Sequence, residues 1–516
     1  MHLPVLSPAQ SAAWDARAQQ AGISLATLMD AAGRAAAQVI VRRHGARLRN
    51  GVLIVAGPGN NGGDGWVIAQ VLHRMDYPVF VAPLGARRSE LNQKAAARSL
   101  ADGVRQVDVD GPWPGVGLVV DALLGTGASG PPRAELALLL ERIRDLALPV
   151  VAIDGPTGVD LASGTTHEPS LHAECSITFG GPRRGHLLAR DECGDIITVD
   201  IGLGAPDPAW PRLMTDQLAA QAVRPFAAGS HKGTRGRVVV VGGDSGMSGA
   251  LRLAGRASFA AGAGLVHAVA PVETIAALTA AEPDLQTLAH SFDRPPVASL
   301  VDLIANSDAL VIGPGLGREA GRREFIAALM APAGRVVLDA DALNAFQGAS
   351  KALAQAARGR QVVLTPHPGE FRRLFPEFAD GMEVDPWRSA EAAAEAMGAV
   401  VLLKGVPTVV SSKRESITVA AGNPGLATGG SGDTLSGLIG TLLAQEMEPL
   451  QAAAVSAQAL GRAGDLAARR YTARAMRPMD VIAALPDLWR SWTTLREVGR
   501  VADPPVLHYL ERPITT

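Results

Sequence analysis

The residues best suited to chemistry lie in NPGLATGGSGDTLSG, the run from Asn423 to Gly437. Its glycine-rich part, Gly429–Gly432, is followed at once by Asp433 and then by an apolar stretch. Glycines let successive backbone N–H groups converge on one point, and a following helix adds its positive end, so this run predicts an anion hole. Phosphate in that hole would repel a carboxylate, which favours a role for Asp433 as a base that takes a proton. The alternative is a glycine-rich turn whose Asp caps a helix.

A second group of polar residues follows three apolar runs in the first half of the chain. The loop GPGNNGGDG carries Asn60, Asn61 and Asp64, while Asp121 and Asp154 end two later runs. Ligands of α/β sheets bind at the carboxyl ends of the strands, so three such positions in series predict one site. Amide and carboxylate oxygens suit a hydroxyl-rich ligand, a metal cation or phosphate, and the sequence alone leaves these open.

Both groups of residues need strands and helices to position them, and the sequence predicts an α/β protein of two domains. In each half, short apolar runs alternate with glycine-rich turns and helical patterns. A stretch with four prolines and weak periodicity near residues 205–225 predicts the boundary. We therefore place the first domain at residues 1–213 and the second at 224–490, and we assign residues 491–516 to a C-terminal tail without a function.

The composition argues against several classes of protein. The chain has 516 residues, of which 47% are hydrophobic and 19% charged, as expected for a globular protein. Its formal net charge is −2, and no basic stripe alternates with aromatic residues, so we expect no nucleic-acid partner. We find neither a signal peptide nor an apolar run of membrane-spanning length. Two cysteines, Cys175 and Cys193, fit a reducing compartment better than a disulfide framework, so we expect a cytoplasmic protein.

Ten motifs, taken in order from about Pro8 to about Pro486, resemble those of the bifunctional NAD(P)H-hydrate repair enzymes. The first half carries LMDAAG, GPGNNGGDG, VDALLGTG and IDGPTG. The second half carries HKGTRGRVVVVGGDSGMSGA, GPGLG, LDADALN, LTPHPGE, LKGVPT and NPGLATGGSGD. The resemblance implies a Rossmann-like three-layer αβα sandwich that epimerises the R and S hydrates. It also implies a ribokinase-like α/β domain that dehydrates the S hydrate to NAD(P)H with ADP, giving AMP and phosphate.

The resemblance implies roles for particular residues of the first domain. Asp154 would be the catalytic residue, and K⁺ would be bound by Asn61, Asp121 and Thr157. The family usually has Ser where Thr157 stands, and Thr keeps the hydroxyl. Residues that would contact the hydrate are Asn60, Asn61, Gly62, Gly63, Asp64, Gly125, Thr126, Gly127, Ala128, Ser129, Gly130, Pro131 and Asp154.

In the second domain, the resemblance implies that Asp433 is the catalytic acid/base. It would contact the hydrate together with Ala250, Gly317 and His367, and Mg²⁺ would lie near Glu370. Phosphorylation of the hydrate hydroxyl would replace a poor leaving group with phosphate. Residues that would bind the nucleotide are Lys404, Gly405, Val406, Pro407, Thr408 and Gly432.

Two other functions stay open at this point. A glycine-rich loop ending in Asp also serves many ribokinase-like small-molecule kinases, and the first half could be a Rossmann-like binding module. The motifs HKGTRG and TPHPGE favour the dehydratase, and the presence of Asp64, Asp121 and Asp154 favours catalysis. The expected partners are small molecules (NADHX, NADPHX and ADP), with neither nucleic acid nor membrane. We also expect a homo-oligomer, because Ala-rich helices indicate extensive packing.

Overall fold

The structure is a computed structural model that describes residues 2–85, 87–499 and 503–516. It divides the chain into two compact units, Met1–Arg212 with Val501–Arg512, and Leu213–Arg500 with Pro513–Thr516. Each unit is built on one mainly parallel sheet whose strands alternate with helices. The prediction of a two-domain α/β protein is therefore confirmed.

The first unit has an eight-stranded sheet in the order β18-β7-β6-β5-β4-β1-β2-β3. All pairs are parallel except β18 with β7. Its central strands are short runs of Val, Ile and Leu buried on both faces, because helices cover both sides of the sheet. Its elements are α1 (Pro8–Gln20), α2 (Leu25–Leu48), β1 (Val52–Ala56), α3 (Asn60–Arg74), β2 (Val79–Pro83), α4 (Glu90–Ala101), β3 (Arg105–Gln106), β4 (Leu118–Ala122), α5 (Ala134–Asp145), β5 (Val150–Ile153), β6 (Cys175–Phe179), α6 (Arg184–Leu188), α7 (Arg190–Cys193), β7 (Asp195–Val199) and β18 (Val506–Leu510).

The second unit has a ten-stranded sheet in the order β11-β10-β9-β12-β13-β14-β15-β16-β17-β8. The strands from β11 to β15 are parallel, and β15, β16 and β17 form an antiparallel meander. Its elements are β8 (Arg212–Leu213), α8 (Asp216–Ala222), β9 (Arg237–Val241), α9 (Ser248–Ala260), β10 (Leu265–Ala270), α10 (Val272–Ala281), β11 (Gln286–Ala289), α11 (Ala298–Ala305), β12 (Ala309–Ile312), α12 (Arg322–Met330), β13 (Arg335–Leu338), α13 (Asp341–Asn344), α14 (Ser350–Ala357), β14 (Gln361–Leu364), α15 (Pro368–Leu374), a 3₁₀ turn (Pro376–Phe378), α16 (Pro386–Met397), β15 (Val400–Leu403), β16 (Thr408–Ser411), β17 (Ser416–Val419), a 3₁₀ turn (Pro424–Leu426), α17 (Ser431–Ala444), α18 (Pro449–Ala475) and α19 (Pro478–Val498).

Small residues fix helix α17 against helix α9. A Cβ atom on Gly437 would lie 2.2 Å from the carbonyl oxygen of Ala254, so only glycine allows this approach. The Ser258 hydroxyl donates to the carbonyls of both Ala254 and Gly437, at 2.9 and 3.2 Å. The close packing fixes the axis of α17, and with it the position of the helix N-terminus that carries Asp433.

The alanines of the second unit are used mainly inside it. Those of α9, α17 and α18 belong to a single buried core together with strand valines and with leucines of α19. The Ala richness is therefore explained by packing within one unit, and the homo-oligomer stays a prediction.

The structure differs from the predicted domain limits at two places. The predicted linker between residues 213 and 224 contains α8, which packs on α19 in the second unit. The predicted tail, residues 491–516, is not a separate segment, because it contains the end of α19 and the edge strand β18. Pro486, near which the family resemblance ends, lies inside α19.

Two further predictions concern the cysteines and the membrane. Cys175 and Cys193 are buried and unbonded, and burial raises the pKa of each thiol to about 12, which leaves both unreactive. Over the described ranges, no helix combines the length and the hydrophobicity that crossing a bilayer requires.

Candidate active sites

The loops after β1, β4 and β5 meet at the carboxyl end of the first sheet, as predicted. β4 lies between β1 and β5, so the three loops are neighbours. Helix α3 begins at Asn60, and Gly62 and Gly63 lie buried in its first turn. The Asn61 side-chain amide donates to the carbonyl of Leu124 at 2.9 Å and to that of Ile153 at 3.2 Å. One amide therefore ties the start of α3 to both other loops.

Asp121 is fully buried at the end of β4 and connects to Thr157. Its Oδ1 accepts from the Thr157 hydroxyl at 2.9 Å and from the Leu123 N–H at 3.1 Å, while its Oδ2 accepts from the Thr157 N–H at 2.7 Å. Burial raises the pKa of Asp121 to about 6, and these hydrogen bonds oppose the rise. The Thr157 hydroxyl also accepts from the Leu124 N–H at 3.3 Å. Thr at this position thus makes every contact that a Ser hydroxyl could make.

Asp154 follows β5 with a strained backbone, its φ being +61°. A non-glycine residue in this region costs energy, and such strain concentrates at functional sites. The Oδ2 atom accepts from the Thr126 hydroxyl at 3.0 Å, while Oδ1 is buried without a hydrogen bond. The nearest cation to Oδ1 is the Arg183 guanidinium, whose Nη2 lies 3.8 Å away.

Two residues at this site were missed by sequence reasoning. Arg183 is almost completely buried after β6, and its Nη1 donates to the carbonyls of Phe179 and Gly181. Asp15, on α1, interacts electrostatically with Arg183 and Asp154. Burial raises the pKa of Asp15, Arg183 lowers it, and Asp154 raises it. Arg183 follows a strand just as Asp121 and Asp154 do, so the same strand-end rule would have found it. Asp15 gives no such signal, because α1 reaches the site only through tertiary packing.

Asp64 completes a group of carboxyls at this site. Burial, followed by the negative charges of Asp154 and Asp15, raises its pKa well above the ordinary range. This shift favours the protonated carboxyl, the form that can donate a proton.

The other predicted contacts of the first site divide into two groups. Gly125 lies against Asn61 and Asp154, and Thr126 binds Asp154 directly. Asn60 is exposed, and its amide oxygen accepts from the Ser89 hydroxyl at 2.9 Å. The remaining predicted contacts form a largely exposed loop beside the site: Gly127, Ala128, Ser129, Gly130 and Pro131.

In the second unit, Asp433 lies in the first turn of α17 at the carboxyl end of the sheet. The N-cap is Gly430, with φ +102°, so Asp433 is not the cap and the capping alternative is wrong. Within the described residues, its carboxylate has no hydrogen-bond partner. Burial, then the charge of Asp339, raises the pKa of Asp433 to about 7; Lys404 lowers this pKa and Asp341 raises it. A carboxyl with that pKa is suited to take a proton near neutral pH.

Lys404 lies beside Asp433 in a small polar cluster. Its ammonium donates to Asp339 Oδ1 at 2.6 Å, and the Thr365 hydroxyl donates to the same oxygen at 2.8 Å. A Cβ atom on Gly432 would be 3.1 Å from the Lys404 ammonium, so glycine gives that group room under the helix N-terminus. Asp339 lies in the LDADALN motif, but the sequence analysis gave it no role.

The predicted hydrate contacts of the second unit surround this cluster unevenly. The Gly317 N–H donates to Asp341 Oδ2 at 3.1 Å, which connects the GPGLG loop to the LDADALN loop. Ala250 packs against Gly315 of that same GPGLG loop. His367 caps helix α15, and its N–H donates to Glu370 at 2.9 Å.

Glu370, near which Mg²⁺ is expected, lies in the first turn of helix α15. Its carboxylate completes a capping box with the backbone of His367 and lies 3.4 Å from the His367 ring. A carboxylate bound in this way stabilises the start of α15. Its position in the sequence motif is explained by helix capping.

The predicted nucleotide run from Lys404 to Thr408 is divided by the structure. Lys404 belongs to the buried cluster, while Gly405 and Val406 lie exposed at the turn between β15 and β16, with Val406 72% exposed. The Thr408 hydroxyl donates to the carbonyl of Gly405 at 3.2 Å and closes that turn. The structure thus brings Lys404 and Gly432 together with Asp433. It leaves Gly405 and Val406 exposed, whereas Pro407 is buried and Thr408 half-buried.

Comparison with known proteins agrees with the presence of two sites. A model described as YjeF-related protein N-terminus matches residues 25–185, and a model described as NAD(P)H-hydrate dehydratase matches residues 238–487. Each model covers the part of the chain that contains one of the two sites.

Curated relatives match almost the whole chain. The bifunctional NAD(P)H-hydrate repair enzyme Nnr of Escherichia coli is 35% identical over 474 residues, covering 90% of this chain and 89% of the relative. The enzyme of the same name from Moorella thermoacetica is 34% identical over 495 residues, covering 90% and 92%. Among solved structures, the ADP/ATP-dependent NAD(P)H-hydrate dehydratase of Bacillus subtilis, co-crystallised with ATP/Mg²⁺, is 26% identical; it covers 54% of this chain and 97% of that chain with a TM-score of 0.48.

Proposed function

The chain belongs to the bifunctional NAD(P)H-hydrate repair enzymes, and we propose that its two units catalyse successive steps of that repair. The first unit epimerises the R and S hydrates of NADH and NADPH, and the second dehydrates the S hydrate with ADP. The position of Asp433 carries this proposal: its carboxyl group is free of hydrogen bonds from other described residues, has a pKa near 7, and lies at the N-terminus of α17. The match along the whole chain favours this function over a small-molecule kinase fused to a binding module.

In the dehydratase, Asp433 takes the proton from the hydroxyl of the hydrate. That oxygen then attacks the terminal phosphorus of ADP, the bond between this phosphorus and the bridging oxygen breaks, and AMP leaves. The backbone N–H groups at the start of α17 and the Lys404 ammonium stabilise the charge on the phosphoryl group. The lone pair of the ring nitrogen then expels phosphate, and loss of the proton from the neighbouring ring carbon restores the C=C bond of NAD(P)H.

In the epimerase, Asp154 and Asp64 divide the proton transfers. Asp154, with one buried oxygen free of hydrogen bonds, is the base at the hydrate carbon and its hydroxyl. Asp64, whose pKa is raised by burial and by its acidic neighbours, is the acid. The buried Arg183 guanidinium lies 3.8 Å from Asp154 and stabilises its negative charge.

A potassium ion fits the first site. The Asn61 Oδ1 atom is buried without a hydrogen-bond partner, in the same loops as the Asp121 carboxylate and the Thr157 hydroxyl. These are hard oxygen donors, and over the described residues no cluster of three His, Cys, Asp or Glu competes as a metal site. Asn61, Asp121 and Thr157 would bind K⁺, which would supply positive charge for the hydroxyl or phosphate oxygens of the substrate. In the second unit, Mg²⁺ would bind with the phosphates of ADP.

The substrates NADHX, NADPHX and ADP are the small-molecule partners in this proposal. A cytoplasmic location is consistent with the two free and buried cysteines.

One experiment tests both activities. The full chain is incubated with mixed R and S hydrates of NADH together with ADP and K⁺, and recovery of reduced nicotinamide is followed by absorbance. We expect full recovery, with AMP and phosphate formed in equal amounts. Recovery of only the S fraction would contradict the epimerase, and no recovery would contradict the dehydratase.

A further inference from the structure

The buried pair formed by Lys404 and Asp339 has an arrangement that stabilisation of the fold does not explain. The Asp339 side chain is 1% exposed and that of Lys404 is 22% exposed, and their charged atoms lie 2.6 Å apart. Removing both charges from water costs about as much free energy as their attraction returns, so the pair contributes little to the stability of the fold. Its location at the end of two parallel strands, under the N-terminus of α17, points to the site chemistry.

Asp339 is fixed more firmly than Lys404. Its Oδ1 accepts from the Thr365 hydroxyl as well as from Lys404, and its side chain is almost completely buried. Lys404, in contrast, has a long flexible side chain with Asp339 as its carboxylate partner in the described part of the chain. The carboxylate thus determines where the ammonium lies.

Resting on the proposed dehydratase function, we propose that Asp339 is a positioning residue for the phosphoryl transfer. It holds the Lys404 ammonium against the start of α17, where it faces the phosphoryl group, and prevents it from pairing with Asp433. Lys404 then contributes to the transition state, and Asp433 stays free to accept the hydroxyl proton.

The electrostatics of Asp433 give this role a measurable consequence. The charged groups that face Asp433 are Asp339 and Asp341, after β13, and Lys404, after β15. The atoms of α9 and α19 nearest to a Cβ at the adjoining Gly430 are apolar side-chain atoms of Leu253 and Pro478. Removing the charge of Asp339 takes away the main negative neighbour and frees Lys404 to approach Asp433. Both effects lower the pKa of Asp433.

The test uses the full chain with the variants Asp339→Asn, Lys404→Met and the double variant, assayed with the S hydrate and ADP. We expect Asp339→Asn to lower kcat about 10- to 100-fold, with the KM for ADP changed less than about threefold. The midpoint of the rise in rate with pH, near 7 in the parent, should move to lower pH. Because both residues act through one ammonium, the double variant should be about as slow as Lys404→Met alone.

Asp385→Asn is the matched control, because it makes the same change of side chain at the N-cap of helix α16, later in the chain. Asn caps helices as well as Asp does. It should leave kcat and the pH midpoint unchanged. If Asp339→Asn does not fold, Thr365→Val keeps both charges and removes the hydroxyl that fixes Asp339; it should lower kcat with an unmoved pH midpoint.

Two results would overturn the positioning role: an Asp339→Asn enzyme with parental kcat, or effects of the two single variants that multiply in the double variant. A parent protein that fails to dehydrate the S hydrate at all would instead overturn the proposed function itself. The two failures are distinguishable because the first requires an active parent.

Discussion

The two sites use their carboxylates in opposite ways. In the first unit, both oxygens of Asp121 accept hydrogen bonds from neighbouring loops, and Asp154 is bound on one side by Thr126. In the second unit, Asp433 accepts no hydrogen bond from the described residues, and the firmly bound carboxylate is its neighbour Asp339. The comparison indicates that the first site is built to fix a ligand in place, whereas the second leaves its base free while a phosphoryl group moves past it.

The largest effect expected from this comparison is that of Asp433→Asn. Asn cannot accept the hydroxyl proton, so dehydration should fall about a hundred- to ten-thousand-fold. Binding of ADP, measured by calorimetry, and epimerisation, measured by exchange between the two hydrates, should stay near the parental values. Near-parental dehydration in this variant would show that the free carboxyl is not the base.

Asp154→Ala tests the first site and its epimerisation. Without the base, interconversion of the R and S hydrates should slow by about a hundredfold or more. Dehydration of pure S hydrate with ADP is the internal control, because that step uses residues of the other unit only. If the hydrates still equilibrate at the parental rate, the proton transfers belong to another residue.

Variants of Thr157 test whether the first site depends on the hydrogen bonds of one hydroxyl group. Thr157→Val removes a donor to the buried Asp121 and should lower the free energy of unfolding by about 1–3 kcal/mol, with weaker activation of epimerisation by K⁺. Thr157→Ser keeps the hydroxyl and loses one buried methyl group, a cost of about 1 kcal/mol. Denaturant unfolding and K⁺ titration should therefore distinguish Thr157→Val from Thr157→Ser. Equal stability and equal activation by K⁺ in the two variants would mean that the hydroxyl has no role.

The smallest effect is expected away from both sites, at Tyr509. Its hydroxyl donates to Asp195 at 2.5 Å and joins β18 to the first sheet. Tyr509→Phe should lower the stability of the first unit by about 1 kcal/mol without changing dehydration, as measured by thermal unfolding. Tyr471→Phe is the matched control, since Tyr471 lies 40% exposed on α18. If both variants unfold alike, the contact with Asp195 does not stabilise the strand.

Short-range sequence patterns predicted the features that depend on residues close together in the chain. Alternating apolar runs and glycine-rich turns predicted the two α/β sheets. The strand-end rule identified Asp121 and Asp154, and the glycine-rich run before a helix identified Asp433. Arg183 was missed because its segment was interpreted only as closing strands and a turn. Asp15 could not be found in this way, since only the packing of α1 brings it to the site.

The edge strand was missed for a different physical reason. β18 pairs antiparallel with β7, matching Tyr509 with Ile197 and Leu510 with Ile196 across most of the chain length. No short-range pattern specifies a partner at that separation, and the short run after a helical stretch contains no turn signal pointing back to β7. A proline in a helical pattern usually ends the helix, yet α19 continues past Pro486, so the full length of α19 is not evident from the sequence.

The position of β18 also sets the order in which the protein can mature on the ribosome. The first sheet needs a strand that is translated only after the whole second unit, so the β7 edge stays unpaired for most of synthesis. An unpaired edge is where a nascent chain can join a neighbouring chain by mistake. Arg43 and Asp195 form an ion pair at that edge, 2.6 Å apart, and keep the edge charged before Tyr509 is synthesised. Charges of this kind at a sheet edge discourage mistaken pairing between neighbouring chains on one polysome.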